Sequence, residues 1–402
     1  MTPLSARDEE AATLGRSIYG DDWRPTLIAR ANGRIEVIGN HVDYNGGPVV
    51  AAAIDRGITV LAAETSTGEI RAAFPDVSDD PPVSVSIDAL SGWRVSSPDG
   101  AVDYLRGVVA AALETGQGVR RSLDLLVHGD LQVGGALSSS AALCVALVNT
   151  LVDQPPPKPE LVLLAQDAEH RLDAPVGTMD QSASVFGGLI LFDGSPDRVA
   201  SMSVDLGARR FVVLGSGIQH RVADSSYGER VAECRRALEL LRSFLGRGVD
   251  VLADVTPAEL ESARASGAFS IEPTLYLRAR HIVSEVARVR EALTAIDASD
   301  WTTFGALMGA SGRSSATDYA ISHPVVEELV ASATTIDGVL GARMMGGGEG
   351  GNALALVEEI AIPTLRAHLA MTFYGPRELD TERMVFVCRI GEAASVEALG
   401  DE

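Results

Sequence analysis

Chemistry-bearing side chains crowd first into residues 33–47, GRIEVIGNHVDYNGG. Asn40, His41, Asp43, Tyr44 and Asn45 fall within six residues and run into Gly46-Gly47. Ile35, Val37 and Ile38 upstream are β-formers, so the polar set sits at a strand end. Such a density of hydrogen-bonding groups suits a binding site. Asn-Gly also suits a plain hairpin turn, and this stretch alone leaves both readings open. A second stretch, GGALSSSAA at 134–142, carries the sharpest phosphate signal. Gly134 and Gly135 let the backbone approach a ligand closely. Ser138, Ser139 and Ser140 then open an apolar helix, whose unpaired N–H groups and dipole attract an anion. One Ser suffices as a cap and Ser is otherwise a mediocre helix former, so three in a row argue for more than capping.

Other groups carry little when taken singly. Glu169 reads as a solvated helix residue, Asp180 as part of a polar, glycine-bounded turn, and Tyr227 as a packing ring. Gly346, Gly348 and Gly351 fit GxGxxG. The run that follows, at 352–357, reads as strand, whereas a dinucleotide fingerprint should open a helix. A glycine loop between two strands is the expectation there.

The elements that must position these groups alternate irregularly. Residues 5–19 suit a short polar helix. Strands are expected over 27–38, interrupted at Asn32-Gly33, and over 49–54 and 58–63, separated by Asp55-Arg56-Gly57. Residues 101–115 form an amphipathic helix pattern, with Val102, Leu105, Val109, Ala112 and Leu113 on one face. A strand at 123–127 leads into the serine stretch, and a helix from Pro159 carries Glu169 and His170. A strand at 211–214 opens the second half, followed by long helices at 227–245 and 274–296. The mixture is α+β, without regular βαβ alternation.

Bulk properties narrow the function. The chain has 402 residues, 46% of them hydrophobic, enough for a large core split between two domains. A net charge of −22 argues against nucleic acid as a partner. A local Arg or helix N-terminus can still hold a small anion. Lys158 is the sole lysine, so neither a Walker A loop nor a protein-kinase lysine is available. Cys144, Cys234 and Cys388 are far apart without CxxC spacing, which suits reduced thiols in a cytosol. The acidic N-terminus is no signal peptide, and no apolar run reaches about 18 residues. The expectation is a cytoplasmic, monomeric protein with no membrane partner.

Taken together, the motifs resemble the galactokinase branch of the GHMP small-molecule kinases. That family carries a GRxNxIGEHxDYNGG segment, matched at 33–47, and a glycine-rich segment before LSSSAA, matched at 134–142. Its AEH…GxMDQ pattern is matched at 168–170 and 177–181. Its Tyr-and-Arg-rich helix start resembles 226–236, and its RMxGGGxGG segment is matched at 343–351. The resemblance implies a two-domain fold, similar to ribosomal protein S5 domain 2 over 1–205 and ferredoxin-like over 206–402. It implies transfer of the ATP γ-phosphoryl group to the anomeric hydroxyl of a galactose-type sugar, galactose first. Gly134, Gly135, Ala136, Ser138, Ser139 and Ser140 would cradle the phosphates. Ser140 and Glu169 would hold Mg²⁺. Asp180 would accept the C1 hydroxyl proton, with Arg34 beside it stabilising charge on the moving group. Asn40, His41, Asp43, the Gly177 backbone and Tyr227 would hold the sugar.

Four departures from the family pattern stand out. Ala136 replaces a usual Gly, Asn32 a usual Pro, and the link from Glu169 to Asp180 is one residue short. Asn40 replaces the Glu of GEH, a group that clamps the sugar's C6 hydroxyl in galactokinases. A Glu there would repel a C6 carboxylate by about 4 kcal/mol at roughly 4 Å and an effective dielectric of about 20. Asn removes that repulsion, so a C6-altered sugar such as galacturonate is the alternative substrate. A non-catalytic sugar sensor is the rival of another class, opposed by the intact serine stretch, Asp180 and Arg34. A nicotinamide-dependent oxidoreductase rests only on the glycine match.

Overall fold

The computed structural model describes residues 5–131, 136–174, 176–218 and 226–400. Its first half runs α1 (Ala6–Tyr19), β1 (Leu27–Ile38), β2 (Pro48–Glu64), β3 (Ile70–Ala73), β4 (Val83–Val85), α2 (Val102–Glu114) and β5 (Leu123–Gly129). Then come α3 (Ser139–Leu151), α4 (Lys158–His170), α5 (Met179–Phe186), β6 (Leu189–Asp193) and β7 (Val199–Met202). The second half runs β8 (Arg209–Gly215), α6 (Tyr227–Leu245), α7 (Pro257–Ala265), α8 (Pro273–Asp297), α9 (Trp301–Ser314) and α10 (Pro324–Ala333). It ends with β9 (Val339–Met344), β10 (Asn352–Glu358), α11 (Ile362–Leu369), α12 (Thr381–Met384), β11 (Val385–Cys388) and β12 (Ser395–Ala398).

Two sheets organise these elements. The larger has the order β12-β1-β2-β5-β3-β4, with β6 paired to the first part of β2 and β7 to β6. The smaller is antiparallel, in the order β11-β8-β10-β9. Helices α3 and α5 pack on one face of the larger sheet, and α2 and α4 pack against α3. On the other face α1, stapled by a Ser5–Asp8 capping box, covers Ile28, Leu61 and Leu126 together with Trp23. Alternation along the strands explains the division, since neighbouring side chains point to opposite faces. Ile28 and Leu61 meet α1, while Ala29, Val60 and Ala62 enter the main core.

Burial on both faces gives β8 and β10 unbroken apolar runs at 211–214 and 353–357. Phe211, Val213, Leu354 and Leu356 join the main core, whereas Val212, Leu214, Ala353 and Ala355 face a second core under α6, α8 and α10. A sheet buried on both faces reads as a continuous hydrophobic run.

Several expectations change here. The breaks expected at Asn32-Gly33 and Asp55-Arg56-Gly57 are not strand ends. Asn32 pairs with Gly57 across β1 and β2, and a Cβ on Gly57 would lie 2.6 Å from the Ala31 carbonyl oxygen. The glycine permits close pairing, and the interruption in β1 reduces to a bulge between Asn32 and Arg34. Asp180 lies in the first turn of α5, not in a turn between elements. β12 belongs to the larger sheet, pairing with β1, although it falls within 206–402 by sequence. The glycine loop does join two strands, β9 and β10, as expected. All three cysteines are free and buried. Among the described residues no helix is long and apolar enough to cross a membrane.

Helix α9 lies unusually close to β9, and glycine makes that possible. A Cβ on Gly341 would sit 2.0 Å from the Gly305 carbonyl oxygen, and one on Gly305 would sit 2.3 Å from that of Leu340. Backbone on both sides leaves nothing flexible to move aside. Gly341→Ala is therefore expected to lower stability by about 1–3 kcal/mol, the usual cost of overpacking. Denaturant unfolding checks this, and an unchanged midpoint contradicts the packing argument.

Candidate active site

The centre of the site is an ion pair between β1 and α5. Arg34 Nε donates to Asp180 Oδ1 and Nη2 to Asp180 Oδ2, both at 2.7 Å. This paired geometry is the strong form of a charge-assisted hydrogen bond. Its third arm, Nη1, donates to the Ala136 carbonyl at 2.6 Å. Arg34 is buried, whereas the Asp180 side chain is 27% exposed, so the carboxylate is the member open to a ligand. The Ser138 hydroxyl also donates to Asp180 Oδ2, at 2.5 Å. Three segments distant in sequence thus meet on one carboxylate.

Ala136 and Ser138 have φ of 56° and 58°, in the left-handed region that disfavours a side chain by about 1–2 kcal/mol. The loop thus keeps a glycine-type conformation at Ala136, where the family pattern has Gly. It also approaches the second half of the chain, since a Cβ on Gly346 would lie 2.8 Å from that of Ala136. Ser139 and Ser140 open α3 and are half-buried. Gly134 and Gly135 lie outside the described residues.

Glu169 is fully enclosed near the end of α4. Burial pushes its carboxyl up to about 7; Asp180 adds to this, while the Ser140 hydroxyl, Gln181 and Arg34 act the other way. Gln181 Nε2 donates to Glu169 Oε2, and Gln181 Oε1 is buried without a protein partner among the described residues. The shortened link between Glu169 and Asp180 has not moved them out of each other's field.

Beyond the end of β1 the polar segment folds into a tight turn, with a short 3-10 element at Asp43–Asn45. Asp43 is half-buried, and burial lifts its carboxyl to about 7, with Asp180 and Glu36 contributing. A Cβ on Gly177 would fall 2.2 Å from Asp43 Oδ2, so only glycine leaves room for this carboxylate. The Tyr227 ring packs on His41 and Tyr44, with centroids 5.1 and 5.3 Å away.

Asn40 and His41 differ from expectation. Asn40 is completely buried. Its amide donates to Glu36 Oε1 and to the Gly346 carbonyl, both at 3.0 Å, and its oxygen accepts from Ser315 at 2.9 Å. No donor is left for a sugar's C6 substituent. His41 has both ring nitrogens engaged, Nδ1 with the Tyr44 hydroxyl at 2.7 Å and Nε2 with the Gly347 carbonyl at 3.3 Å. Burial pulls its pKa down to about 3, so the ring is neutral. These two residues hold the turn that presents Asp43.

Sequence reasoning passed over the groups that anchor this turn. Arg343 on β9 donates to Glu36 Oε1 at 2.6 Å and to the Glu36 carbonyl at 3.0 Å. Glu285 on α8 accepts from the Gly39 and Asn40 amides, and His281 Nε2 donates to the Asn40 carbonyl at 3.0 Å. The available signal was charge on an apolar stripe: Arg278, His281 and Glu285 follow the same three–four spacing as Leu275, Ile282 and Val286.

Comparison with known proteins shows the family. Residues 16–64 match the galactokinase galactose-binding signature, which spans β1 and the turn. Residues 103–188 match the GHMP kinases N terminal domain, and 292–370 the GHMP kinases C terminal region. The galactokinase of Roseiflexus sp. (strain RS-1) is 34% identical over 382 residues, 92% of each chain. That of Enterococcus faecalis is 34% identical over 85% of this chain and 87% of its own. The crystal structure of Lactococcus lactis galactokinase complexed with galactose superposes with a TM-score of 0.88 at 26% identity, covering 97% of this chain and all of that one. Methanococcus jannaschii mevalonate kinase shares the fold, with a TM-score of 0.65 at 16% identity. By its sequence and its fold, the chain belongs to the galactokinase family of the GHMP kinases and is a sugar kinase.

Proposed function

We propose that the chain transfers the γ-phosphoryl group of ATP to the anomeric hydroxyl of galactose. The observation that carries this reading is the carboxylate of Asp180. It is gripped by Arg34 from behind, bonded by Ser138 at the mouth of α3, and left part-exposed.

Phosphoryl transfer depends mainly on positioning and on neutralising charge. Asp180 accepts the proton of the C1 hydroxyl as its oxygen attacks phosphorus and the bond to ADP breaks. Arg34 fixes the carboxylate in two dimensions and sets a positive charge beside the reacting oxygens. Asp43, the Gly177 backbone and Tyr227 orient the sugar, while Asn40 and His41 hold their support. The phosphates rest on 134–136 and on the first turn of α3 at Ser138, Ser139 and Ser140. The halves 1–205 and 206–402 would close around them, β12 remaining with the first.

Ser140 and Glu169 fit a Mg²⁺ ion. Their oxygens are hard donors, and Mg²⁺ beside a nucleotide needs only one or two carboxylates. A buried carboxylate with a raised pKa and an orphaned amide oxygen next to it also favour an incoming cation. When bound, the ion would neutralise charge on the β- and γ-phosphates.

Asp180→Asn keeps a group that can accept from Arg34 but loses the base. Turnover of galactose with ATP is expected to fall by roughly 10²–10⁴, with the fold retained by circular dichroism. Near-normal turnover in that variant overturns the assignment, and sugar binding without ATP consumption by the wild type overturns the kinase reading.

Glu169 gives a pH signature in the ligand-free protein. Its folded pKa of about 7 lies above the ordinary carboxylate value, so its contribution is fully present below about pH 4.5 and is lost as pH rises through 7. Glu169→Gln removes that loss. The melting temperature of the variant relative to wild type should therefore rise between pH 4.5 and 7. A difference that stays flat across this window refutes the buried, uncompensated carboxylate.

A further inference from the structure

Asn40 has no free hydrogen-bonding group, but the carboxylate beside it does. Glu36 stands two positions after Arg34 on β1. Arg34 pairs with Ala53 and Glu36 with Ala51, with no register shift between them. Alternate residues of a strand share a face, so the two side chains point the same way, about 6–7 Å apart along the strand. Arg34 serves the transfer end of the site through Asp180. Glu36 stands about the length of a hexose farther on, beside the glycine loop. Its Oε1 accepts from Arg343 and from the Asn40 amide. Its Oε2 meets only the Asn40 amide, at 3.4 Å, among the described residues. The charge on Glu36 is felt at both Asp43 and Tyr227, two groups assigned above to the sugar.

We propose that Glu36 is a specificity-determining residue, whose Oε2 accepts a hydrogen bond from the hexose hydroxyl remote from the anomeric carbon. This inference rests on the sugar-kinase reading above. Arg343 and Asn40 fix the orientation of the carboxylate. The Asn at position 40 therefore does not clear the site of negative charge, because a carboxylate is supplied from four residues upstream. A hexuronate such as galacturonate meets repulsion there. Arg343 is no counter-ion for it, since its guanidinium already serves Glu36 and the carbonyls of Glu36 and Val37. A second carboxylate at position 40 would fall about 3 Å from Glu36, with one Arg343 between them, a like-charge pair at low dielectric. The neutral amide is the residue that this arrangement requires.

The test compares wild type and Glu36→Gln on galactose and galacturonate with ATP, with melting temperature as the check on folding. Wild type is expected to prefer galactose by at least about a hundredfold in kcat/KM. Glu36→Gln is expected to raise the galactose KM at least about tenfold, to change kcat by less than about threefold, and to narrow the preference about tenfold. A folded variant with unchanged galactose KM and unchanged preference overturns the proposal. So does an equal loss on both sugars carried by kcat, which is what a purely structural partner of Arg343 gives. A wild type indifferent between the two sugars overturns it as well.

Where Glu36→Gln fails to fold, Glu36→Asn combined with Asn40→Glu carries the test, because it keeps one carboxylate on Arg343. That exchange is expected to fold, to hold the galactose KM within about fivefold, and to keep rejecting galacturonate. A folded exchange variant that accepts both sugars equally overturns the proposal. A wild type that consumes no ATP with any hexose overturns the kinase reading and this inference together. Wild-type activity on galactose with an indifferent Glu36→Gln overturns this inference alone.

Discussion

A buried carboxylate fixes the point where β1 ends, and the turn that carries Asp43 is placed from that point. Glu285 Oε1 accepts from the amides of Gly39 and Asn40 at 3.1 and 3.2 Å and from the Ser311 hydroxyl at 2.5 Å. Its Oε2 takes Arg288 Nε at 2.7 Å. Burial alone would raise its pKa, but Arg288, His281 and Arg343 outweigh burial and hold it down at about 2. A buried charge so fully bonded is costly to break, because removing one partner strands the others. Glu285 belongs to α8 and Ser311 to α9, so the turn of the first sheet is held by helices of the second. The close seating of α9 on β9, which Gly305 and Gly341 allow, sets Ser311 and Arg343 where this clamp needs them.

From the clamp outward, order passes through oriented hydrogen bonds. His41 is neutral, and the Gly347 carbonyl beside Nε2 can only accept, so Nε2 carries the proton. Nδ1 then accepts from the Tyr44 hydroxyl, Tyr44 from Tyr319, and Tyr319 from the Cys234 thiol. One direction satisfies the whole chain. Burial pushes the thiol up to about 11 and both phenols well above their ordinary value, so each keeps the hydrogen it donates. Rigid aromatic and hydroxyl groups of α6 and the segment after α9 thus set the turn carrying Asp43, which has room only because residue 177 is glycine.

Much of this was legible in the sequence because the responsible signals are local. Three serines at a helix start, a polar cluster after β-formers and a three–four apolar period each act within a few residues. Asp180 reads as a turn residue in the sequence because small residues at 182–184 hide the helical period of α5, which is set by packing against β1 and α3. β12 leaves no local signal because its pairing partner, β1, lies more than 350 residues away. The misreading of Asn40 has the same cause. Its environment comes from Glu36, Ser315 and Gly346, and the last two lie about 275 and 306 residues downstream. A motif position reports what a residue replaces, whereas the structure reports what it touches.

The electrostatics of the site bear on how a chain of net charge −22 would hold the polyanion that the proposed function requires. Glu36, Asp43, Glu169 and Asp180 converge on a small region, and burial together with mutual repulsion lifts Asp43 and Glu169 to about 7. Against them stand Arg34, Arg343 and the first turn of α3. Each cation is committed: Arg34 to Asp180 and a carbonyl, Arg343 to Glu36 and two carbonyls. Among the described residues the site therefore carries carboxylate charge that these cations do not balance. A divalent cation arriving with the nucleotide would relieve that excess at Glu169, while hydroxyls of a neutral sugar satisfy the remaining oxygens by hydrogen bonding. A sugar bearing its own carboxylate brings neither. Under the proposed function the acidity of the site would select its ligands, favouring a metal-complexed nucleotide and a neutral polyol over an anionic sugar.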